Sequence, residues 1–472
     1  MKKFILTWAM AMTVPAALFA TDRIVDPTLS VGNGSALFSD IVSAVEAAVD
    51  GDRILITPGV YQEPAFSVAK SLSFLPTDGE STVTINANVT INVADDRKVK
   101  WVHIHQGQYS LYLAGGGSRF GLTMLNSQTT TLSVNGSGNT SEGNRCELHI
   151  VDCTINANLE ANQNGWDLAL IRSSVGGSTV YRFGDVVMST MPRLILNDEG
   201  GSNTAENRHA IIQNTISDYL EIRNDNCAFR VANNTLKNLY LFMWNHGAEQ
   251  NDVLNNEFAP NSYIHMPWNP PSWNLRVNNN IFANSPQLIR WATTWPGWDN
   301  TNWNWCDSND DYHCGTATDP GDQRWNGELP FIGSTRSMYD CNQSDCNAGG
   351  SDIGGNVNFW DTNSAAFPNP DIAGFFEWNH NSHGLPNPSV NANDPLVYTE
   401  VGNGGENVNG GSPEHEYYDL DLTVNDRGRA GGPWGTANFP TDGKSFVFDL
   451  DIPADLFPGQ EIDIKAKAYQ RY

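Results

Sequence analysis

CAFRVANNTL (residues 227–236) ends with a small polar residue two positions before an apolar residue, and this ending recurs through the middle of the chain. Seven segments share it when they are aligned on that apolar residue, called the anchor here: Ile155, Val175, Met191, Ile216, Leu236, Phe258 and Phe282. Successive anchors lie 20, 16, 25, 20, 22 and 24 residues apart. Repeats of this length, with one short strand each, indicate a solenoid rather than a domain with one central core.

The same alignment sorts the faces of the repeated strand. Five positions before the anchor every residue is apolar: Ile150, Leu170, Val186, Ile211, Val231, Val253 and Val277. Side chains alternate along a strand, so this column is predicted to point inward. Two positions before the anchor the residues are small and polar: Cys153, Ser173, Ser189, Asn214, Asn234, Asn256 and Asn280. We predict a bend there, with the four asparagines in one column bonding each other and the local backbone.

A second apolar column lies four positions before the anchor: Val151, Ile171, Val187, Ile212, Ala232 and Leu254. Alternation would point this column outward, where an apolar stripe of that length would promote aggregation. The sequence therefore predicts that a loop or the segment after residue 284 covers it, or that the strand bends and turns it inward.

The asparagine column and the repeat of about 22 residues resemble the right-handed parallel β-helix of the pectate lyase-like superfamily. Residues 35–64 and 70–76 are similar to the opening of secreted β-helix proteins, and DLDLTVNDRGRAGGPWG (419–435) resembles their closing segment. The resemblance implies an all-β fold with an amphipathic helix capping the first turn. Helical spacing supports that helix independently at Leu37, Ile41, Val45 and Val49, ending at Asp50-Gly51-Asp52. The resemblance is specific for the fold and weak for function.

The chain divides into four parts. Residues 1–20 are predicted to be a signal peptide, with a basic start and an apolar run to Ala20. Residues 21–435 form the solenoid, with early strands expected within 99–109 and 120–128. Its stretch from about 284 to 418 is rich in loops, Trp and Cys. Residues 436–472 alternate like a β-sandwich, either as a terminal hairpin or as the start of an immunoglobulin-like module.

Composition favours a secreted or cell-surface protein. The formal net charge of −26 disfavours nucleic acid and anionic lipid as partners. No membrane insertion is expected after signal cleavage, and the sequence says nothing about oligomeric state. Seven cysteines do not make a disulfide scaffold, although bridges within Cys306/Cys314 and Cys341/Cys346 would restrain the loop-rich region.

A tryptophan cluster in the loop-rich region is the first candidate site. We predict substrate binding by the indoles of WATTWPGWDNTNWNW (291–305), because indole faces stack on the apolar C–H faces of sugars. The alternative is that the indoles form a small core that holds the loop on the solenoid. The residues concerned are Trp291, Trp295, Trp298, Trp303 and Trp305.

A charged column six positions before the anchor is the second candidate. The strand pleat predicts that Arg230, Asp252 and Arg276 are exposed and alternate on successive turns. In lyases and hydrolases of the family that the chain resembles, catalytic groups project from such a face, so these three are the catalytic candidates. The alternative is a salt-bridge ladder without catalytic function.

Two acidic clusters could hold calcium, since carboxylates are hard oxygen ligands. Asp307, Asp310 and Asp311 lie in the loop-rich region, whereas Asp419 and Asp421 lie in the closing segment. Neither cluster matches an EF-hand loop, and Asp-rich turns capping the last coil are the alternative for the second.

The signatures of pectate lyases, polygalacturonases and pectin methylesterases are absent from the sequence, which leaves open whether the protein is an enzyme. The sequence therefore predicts a secreted β-helix that engages extracellular polysaccharide, by binding or by lyase or hydrolase action on an acidic glycan. The alternative is a non-catalytic structural or adhesive scaffold at the cell surface.

Overall fold

The strands of this computed structural model follow the repeat found in the sequence. The structure describes residues 20–29, 36–138, 144–198, 209–224, 228–243, 251–259, 262, 264–266, 275–283, 289–292, 303–305, 357–358, 376–379, 382–384, 428–429, 431–435, 446–451 and 465–469. In the described part, no helix is long and apolar enough to span a membrane.

One short helix precedes a long series of strands. In chain order the elements are β1 (Asp22–Val25), β2 (Leu37–Phe38), α1 (Ile41–Ala47), β3 (Arg53–Ile56), β4 (Gly59–Gln62), β5 (Phe66–Val68), β6 (Ser73–Pro76), β7 (Val83–Asn86), β8 (Val89–Val93), β9 (Lys98–Val102), β10 (Ile104–His105), β11 (Leu111–Gly115), β12 (Gly121–Leu125), β13 (Gln128–Thr129), β14 (Leu132–Val134), β15 (Cys146–Val151), β16 (Thr154–Ile155), β17 (Leu159–Ala161), β18 (Trp166–Ile171), β19 (Ser174–Val175), β20 (Ser178–Tyr181), β21 (Phe183–Val187), β22 (Thr190–Asp198), β23 (His209–Ile212), β24 (Thr215–Asn224), β25 (Phe229–Ala232), β26 (Thr235–Met243), β27 (Asn251–Leu254), β28 (Glu257–Phe258), β29 (Ile264–Met266), β30 (Leu275–Asn278), β31 (Ile281–Ala283), β32 (Ile289–Ala292), β33 (Trp303–Trp305), β34 (Val357–Asn358), β35 (Phe376–Asn379), β36 (Ser382–Gly384), β37 (Phe446–Asp451) and β38 (Lys465–Tyr469).

Successive turns stack their strands into two long sheets. The first sheet runs β2-β1-β3-β6-β9-β12-β15-β18-β21-β23-β25-β27-β30-β35-β34, and neighbouring strands are parallel up to β35. The second sheet contains the remaining strands from β4 to β36. Because each turn contributes a strand to both sheets and pairs with the turn before and after it, the fold is a parallel β-solenoid. The strands predicted within 99–109 and 120–128 are confirmed as β9, β10, β12 and β13.

The predicted inward column forms the core. All seven residues five positions before the anchor are fully buried, and they join one cluster that runs the length of the described solenoid. The fully buried rings of Phe74, Trp101, Phe120 and Trp166 fill the early turns of that core, where Phe74 packs on Trp101 and Phe120 on Trp166.

A sharp corner follows the strand in each turn. The residue between the second apolar column and the small polar column has a positive φ, from 46° at Arg172 to 59° at Asn279. Side-chain oxygens of the next turn satisfy the backbone N–H groups beyond this corner. Asn214 N donates to Asn234 Oδ1 at 2.8 Å, Asn234 N to Asn256 Oδ1 at 3.0 Å, and Asn256 N to Asn280 Oδ1 at 2.8 Å. The predicted asparagine column is confirmed.

The ladder begins with smaller residues. Ser173 Oγ accepts from Cys153 N, Ser189 Oγ from Ser173 N, and Asn214 Oδ1 from Ser189 N. Hydroxyl and amide oxygens therefore perform the same task on successive turns. A residue two positions before the anchor must be small and must accept a hydrogen bond, which explains the composition of this column.

The helix α1 is shorter than its apolar spacing predicted. Asp40 caps it by accepting from Ser43 N at 2.7 Å, and Ala48 is already extended. Leu37 belongs to β2 instead, where it pairs with Ile24. Ile41, Ala44 and Val45 are buried in the main core. The prediction of a helix in this region is confirmed, but its first and last predicted apolar positions, Leu37 and Val49, lie outside it and are exposed.

The chain ends with an antiparallel pair, β37 and β38, that forms a sheet of its own. Both interpretations of residues 436–472, a terminal hairpin or the start of an immunoglobulin-like module, contain such a pair and stay predictions.

Candidate functional site

The charged column predicted from the repeat forms a continuous ion-pair ladder. Arg230, Asp252 and Arg276 occupy equivalent positions on β25, β27 and β30. Arg230 Nη2 lies 3.2 Å from Asp252 Oδ2, and Arg276 Nε lies 2.9 Å from Asp252 Oδ1. Register places Glu377 next in the row. Each oxygen of the central carboxylate therefore has a guanidinium partner.

The prediction that this column is exposed is wrong at its centre. The side chains of Asp252 and Arg230 are only 0% and 5% exposed, whereas that of Arg276 is 18% exposed. At Arg230 a segment about 200 residues later in the chain contributes to this burial, because the guanidinium carbon of Arg230 lies 4.2 Å from the centre of a Trp434 ring. Asp252 is fully buried between its two arginine partners.

A different surface combines aromatic rings with arginines. It lies on the outward positions of β22, β24 and β26, and we call it the aromatic–arginine face. Its members are Arg193, Tyr219, Arg223, Tyr240 and Phe242. Strand register aligns Arg193 with Tyr219 and Arg223 with Phe242. The inward positions between them are occupied by buried leucine and isoleucine.

The rings on this face contact one another and the arginines. Tyr240 and Phe242 are nearly parallel, with an interplanar angle of 5° and ring centres 6.4 Å apart. Tyr219 meets Tyr240 edge-on at 5.6 Å. The guanidinium of Arg193 lies 5.4 Å from the Tyr219 ring, and that of Arg223 lies 5.9 Å from the Phe242 ring. All three rings are half-buried, so part of each faces solvent.

The arginines of this face remain accessible although both are ion-paired. Arg193 bonds Asp218 at 2.8 Å, and its side chain is 50% exposed. Arg223 pairs with Glu221, and its side chain is 44% exposed. The Arg193–Asp218 pair is exposed on both sides and contributes little to stability, so a competing anion can exchange with Asp218 at small cost. The side chain of Glu221 is only 11% exposed, so exchange at the Arg223 pair costs more.

The described part of the predicted tryptophan site lies further along the same sheet. In one register row Tyr240 pairs with His265, His265 with Arg290, and Arg290 with Trp305. Trp291 belongs to β32, and Trp303 pairs with Ala292 across the antiparallel β32–β33 pair. Trp295 and Trp298 lie outside the described residues. The backbone of three predicted tryptophans thus continues the sheet that carries the aromatic–arginine face.

The metal prediction falls outside the described part of the chain, because Asp307, Asp310, Asp311, Asp419 and Asp421 are not among those residues. Within the described ranges, no group of three or more His, Cys, Asp or Glu side chains could hold a metal ion. Cys306, Cys314, Cys341 and Cys346 also lie outside them. Cys146 and Cys153 are both buried, and burial raises the pKa of the Cys153 thiol to about 12.

Comparison with known proteins gives no relative for this chain. No family model matches it, no curated protein is similar to it, and no solved structure matches it. Its function must therefore be inferred from its own surfaces.

Proposed function

We propose that the protein is a secreted, right-handed parallel β-helix of the pectate lyase-like type that engages extracellular polysaccharide. In this proposal α1 caps the first turn, which is supported by its three residues in the main core. The observation that carries the function is the aromatic–arginine face, where three rings and two guanidinium groups lie together on three neighbouring strands.

Two interactions would bind a sugar polymer there. Tyr219, Tyr240 and Phe242 offer ring surface for the apolar C–H faces of pyranoses. Arg193 and Arg223 offer planar donors that match a carboxylate or sulfate. Since the chain has a net charge of −26 and both arginines are ion-paired, an acidic glycan must compete with Asp218 for Arg193, or use a bridging cation, to bind here. Acidic glycans are therefore the proposed ligand class.

Binding is favoured over lyase or hydrolase chemistry. The catalytic candidate Asp252 is fully buried, and both of its oxygens already accept from arginines. A general base or nucleophile must reach its substrate at hydrogen-bond distance. The covered ladder supports the salt-bridge alternative for Arg230, Asp252 and Arg276. It also supports the second candidate function, a non-catalytic structural or adhesive scaffold.

The test compares the double variant Tyr219→Ala/Tyr240→Ala with Tyr112→Ala. Tyr112 is a matched control, because it is half-buried on an earlier strand of the same sheet, where it pairs with Thr90 and Ser133. Binding to polygalacturonate, a sulfated galactan and a neutral galactan is measured by affinity electrophoresis.

We expect the unmodified protein to bind an acidic polymer and Tyr112→Ala to bind it equally well. The double variant should lose at least about tenfold in affinity, because each ring contributes about 1–3 kcal/mol. If Tyr112→Ala weakened polymer binding as much as the double variant, the aromatic–arginine face would not be the binding site. Failure of the unmodified protein to bind any of the polymers would favour the scaffold.

A further inference from the structure

The second apolar column forms a small core of its own outside the solenoid. Its six residues are at most 3% exposed, and they form a cluster separate from the main core. The partly buried side chains of Ala169, Met188 and Trp434 pack against this cluster. The prediction that a segment after residue 284 covers the column is thus confirmed in its late turns.

The covering segment consists of two tight turns. We call its described residues, 428–429 and 431–435, the strap. Gly431 N donates to Gly428 O at 3.1 Å, and Gly435 N donates to Gly432 O at 3.0 Å. Gly428 and Gly432 have φ values of 81° and 74°, which side chains with a Cβ rarely adopt. The sequence GRAGGPWG is therefore suited to this path.

The strap is recognised mainly through its backbone by the corners of four turns. Asn233 Nδ2 donates to Arg429 O at 2.9 Å and to Gly431 O at 2.6 Å. Gln213 Nε2 donates to Trp434 O at 2.7 Å. The positive-φ residues of these corners thus turn their amides outward to bind a peptide.

Two further corners complete the contact. Gly428 N donates to Asn279 O at 2.8 Å. At Gly432 a Cβ would lie 3.1 Å from Asn255 Oδ1, so a larger residue would be crowded there. Because the strap crosses the turns and the strands beneath it already pair with each other, it binds without extending either sheet.

Trp434 provides the apolar contact of the strap. It packs on the second apolar cluster, which includes the alanines Ala210 and Ala232. Small residues at these two positions leave space for an indole, and the Arg230 guanidinium closes one side of the site. Larger apolar residues occupy the equivalent positions beside Ala232, at Ile212 and Leu254.

We propose that the outer corners at Gln213, Asn233, Asn255 and Asn279, on four successive turns, form a peptide-binding site. Its ligand is the glycine-rich strap of this chain. In this site Gln213 and Asn233 donate hydrogen bonds to backbone carbonyls of the strap. The site leaves no room for a larger side chain at position 432, and it binds one indole. A separate peptide with the same sequence can then occupy the site when the strap of the chain itself is disabled. Occupancy seals the second apolar cluster from water.

The experiment uses the full chain with Trp434→Ala and the synthetic peptide DRGRAGGPWG (426–435). We expect the variant to bind a hydrophobic dye more strongly than the unmodified protein and to unfold at a lower temperature. The peptide should bind the variant saturably, reduce the dye signal and raise the unfolding midpoint. The unmodified protein, whose site is occupied, should bind the peptide at least about tenfold more weakly, as the loss of a buried aromatic anchor implies.

The matched control is the same peptide with alanine in place of its tryptophan, which should not bind. Absence of saturable binding of the native peptide to Trp434→Ala, or equal binding of the control peptide, would overturn the proposal. If Trp434→Ala does not fold, Gly432→Ala replaces it, because a Cβ at Gly432 would lie 3.1 Å from Asn255 Oδ1 and the change disables the strap while the site itself stays intact. Peptide binding by Gly432→Ala no stronger than by the unmodified protein would then refute the proposal.

Discussion

Replacing Asn234 by leucine tests the asparagine ladder at its centre. Asn234 Oδ1 accepts from Asn214 N at 2.8 Å and from Asn214 Nδ2 at 3.0 Å. Its Nδ2 donates to Ile211 O at 2.8 Å and to Asn256 Oδ1 at 2.9 Å. Leucine has the same branched shape but can replace none of these four bonds. The Asn214 N–H then lies buried with no acceptor from the ladder.

The size of the effect follows from these contacts. A buried polar group that loses its partner costs about 1–3 kcal/mol, and other lost bonds cost about 1 kcal/mol each. After a partial offset from the buried leucine, we expect the free energy of unfolding to fall by about 3 kcal/mol. For a chain of 472 residues, whose unfolding entropy is about 2.1 cal/mol/K per residue, the thermal midpoint should fall by roughly 3 °C.

The assay is thermal unfolding followed by far-ultraviolet circular dichroism, with Asn156→Leu as the matched control. Asn156 follows an anchor by one position and is exposed, so its replacement should shift the midpoint by no more than about 1 °C. Equal midpoints for Asn234→Leu and the control would refute the assignment of stability to the ladder.

Two further predictions follow from buried groups. Arg230→Ala should lower the free energy of unfolding by about 3–5 kcal/mol, because it removes one partner of a buried carboxylate. Arg193→Ala, at an exposed pair, should lower it by less than about 1 kcal/mol. Equal losses in chemical denaturation would contradict the burial of the ladder. The Cys153 thiol, whose pKa burial raises to about 12, should resist iodoacetamide at pH 8 in the folded protein and react in urea, as read by peptide mass spectrometry. Rapid native labelling of Cys153 would show that this corner opens.

The sequence predicted the parts of the fold that repeat locally. The columns of Ile211 and Asn234 recur at fixed distances from an anchor, because the pleat of a strand and the bend after it are set by neighbouring residues. The burial of Arg230 could not be predicted in the same way. It depends on Trp434, which lies about 200 positions later and belongs to no repeat.

The aromatic–arginine face was missed for a different reason. Tyr219 lies three positions after its anchor, but its partner Asn238 lies only two positions after the next one. The pairing shifts by one residue between Ile216 and Tyr219, so an alignment on anchors places the outward and inward residues of this strand in the wrong columns. The alternation within TISDYLEIRN and TLKNLYLFM is the signal that could have identified the face.

The hydrogen bonds between the side chains of the asparagine ladder all run in one direction. Asn214, Asn234 and Asn256 each donate one side-chain N–H to the oxygen of the following asparagine, and also donate to a backbone carbonyl of the preceding turn. Their amide dipoles therefore add along the axis, whereas the strand dipoles of a sheet largely cancel. The row gives the solenoid an electrical polarity, with its positive end toward Asn280. Hydrogen bonds in such a chain polarise one another, so a break at Asn234 divides the row of asparagine amides in two.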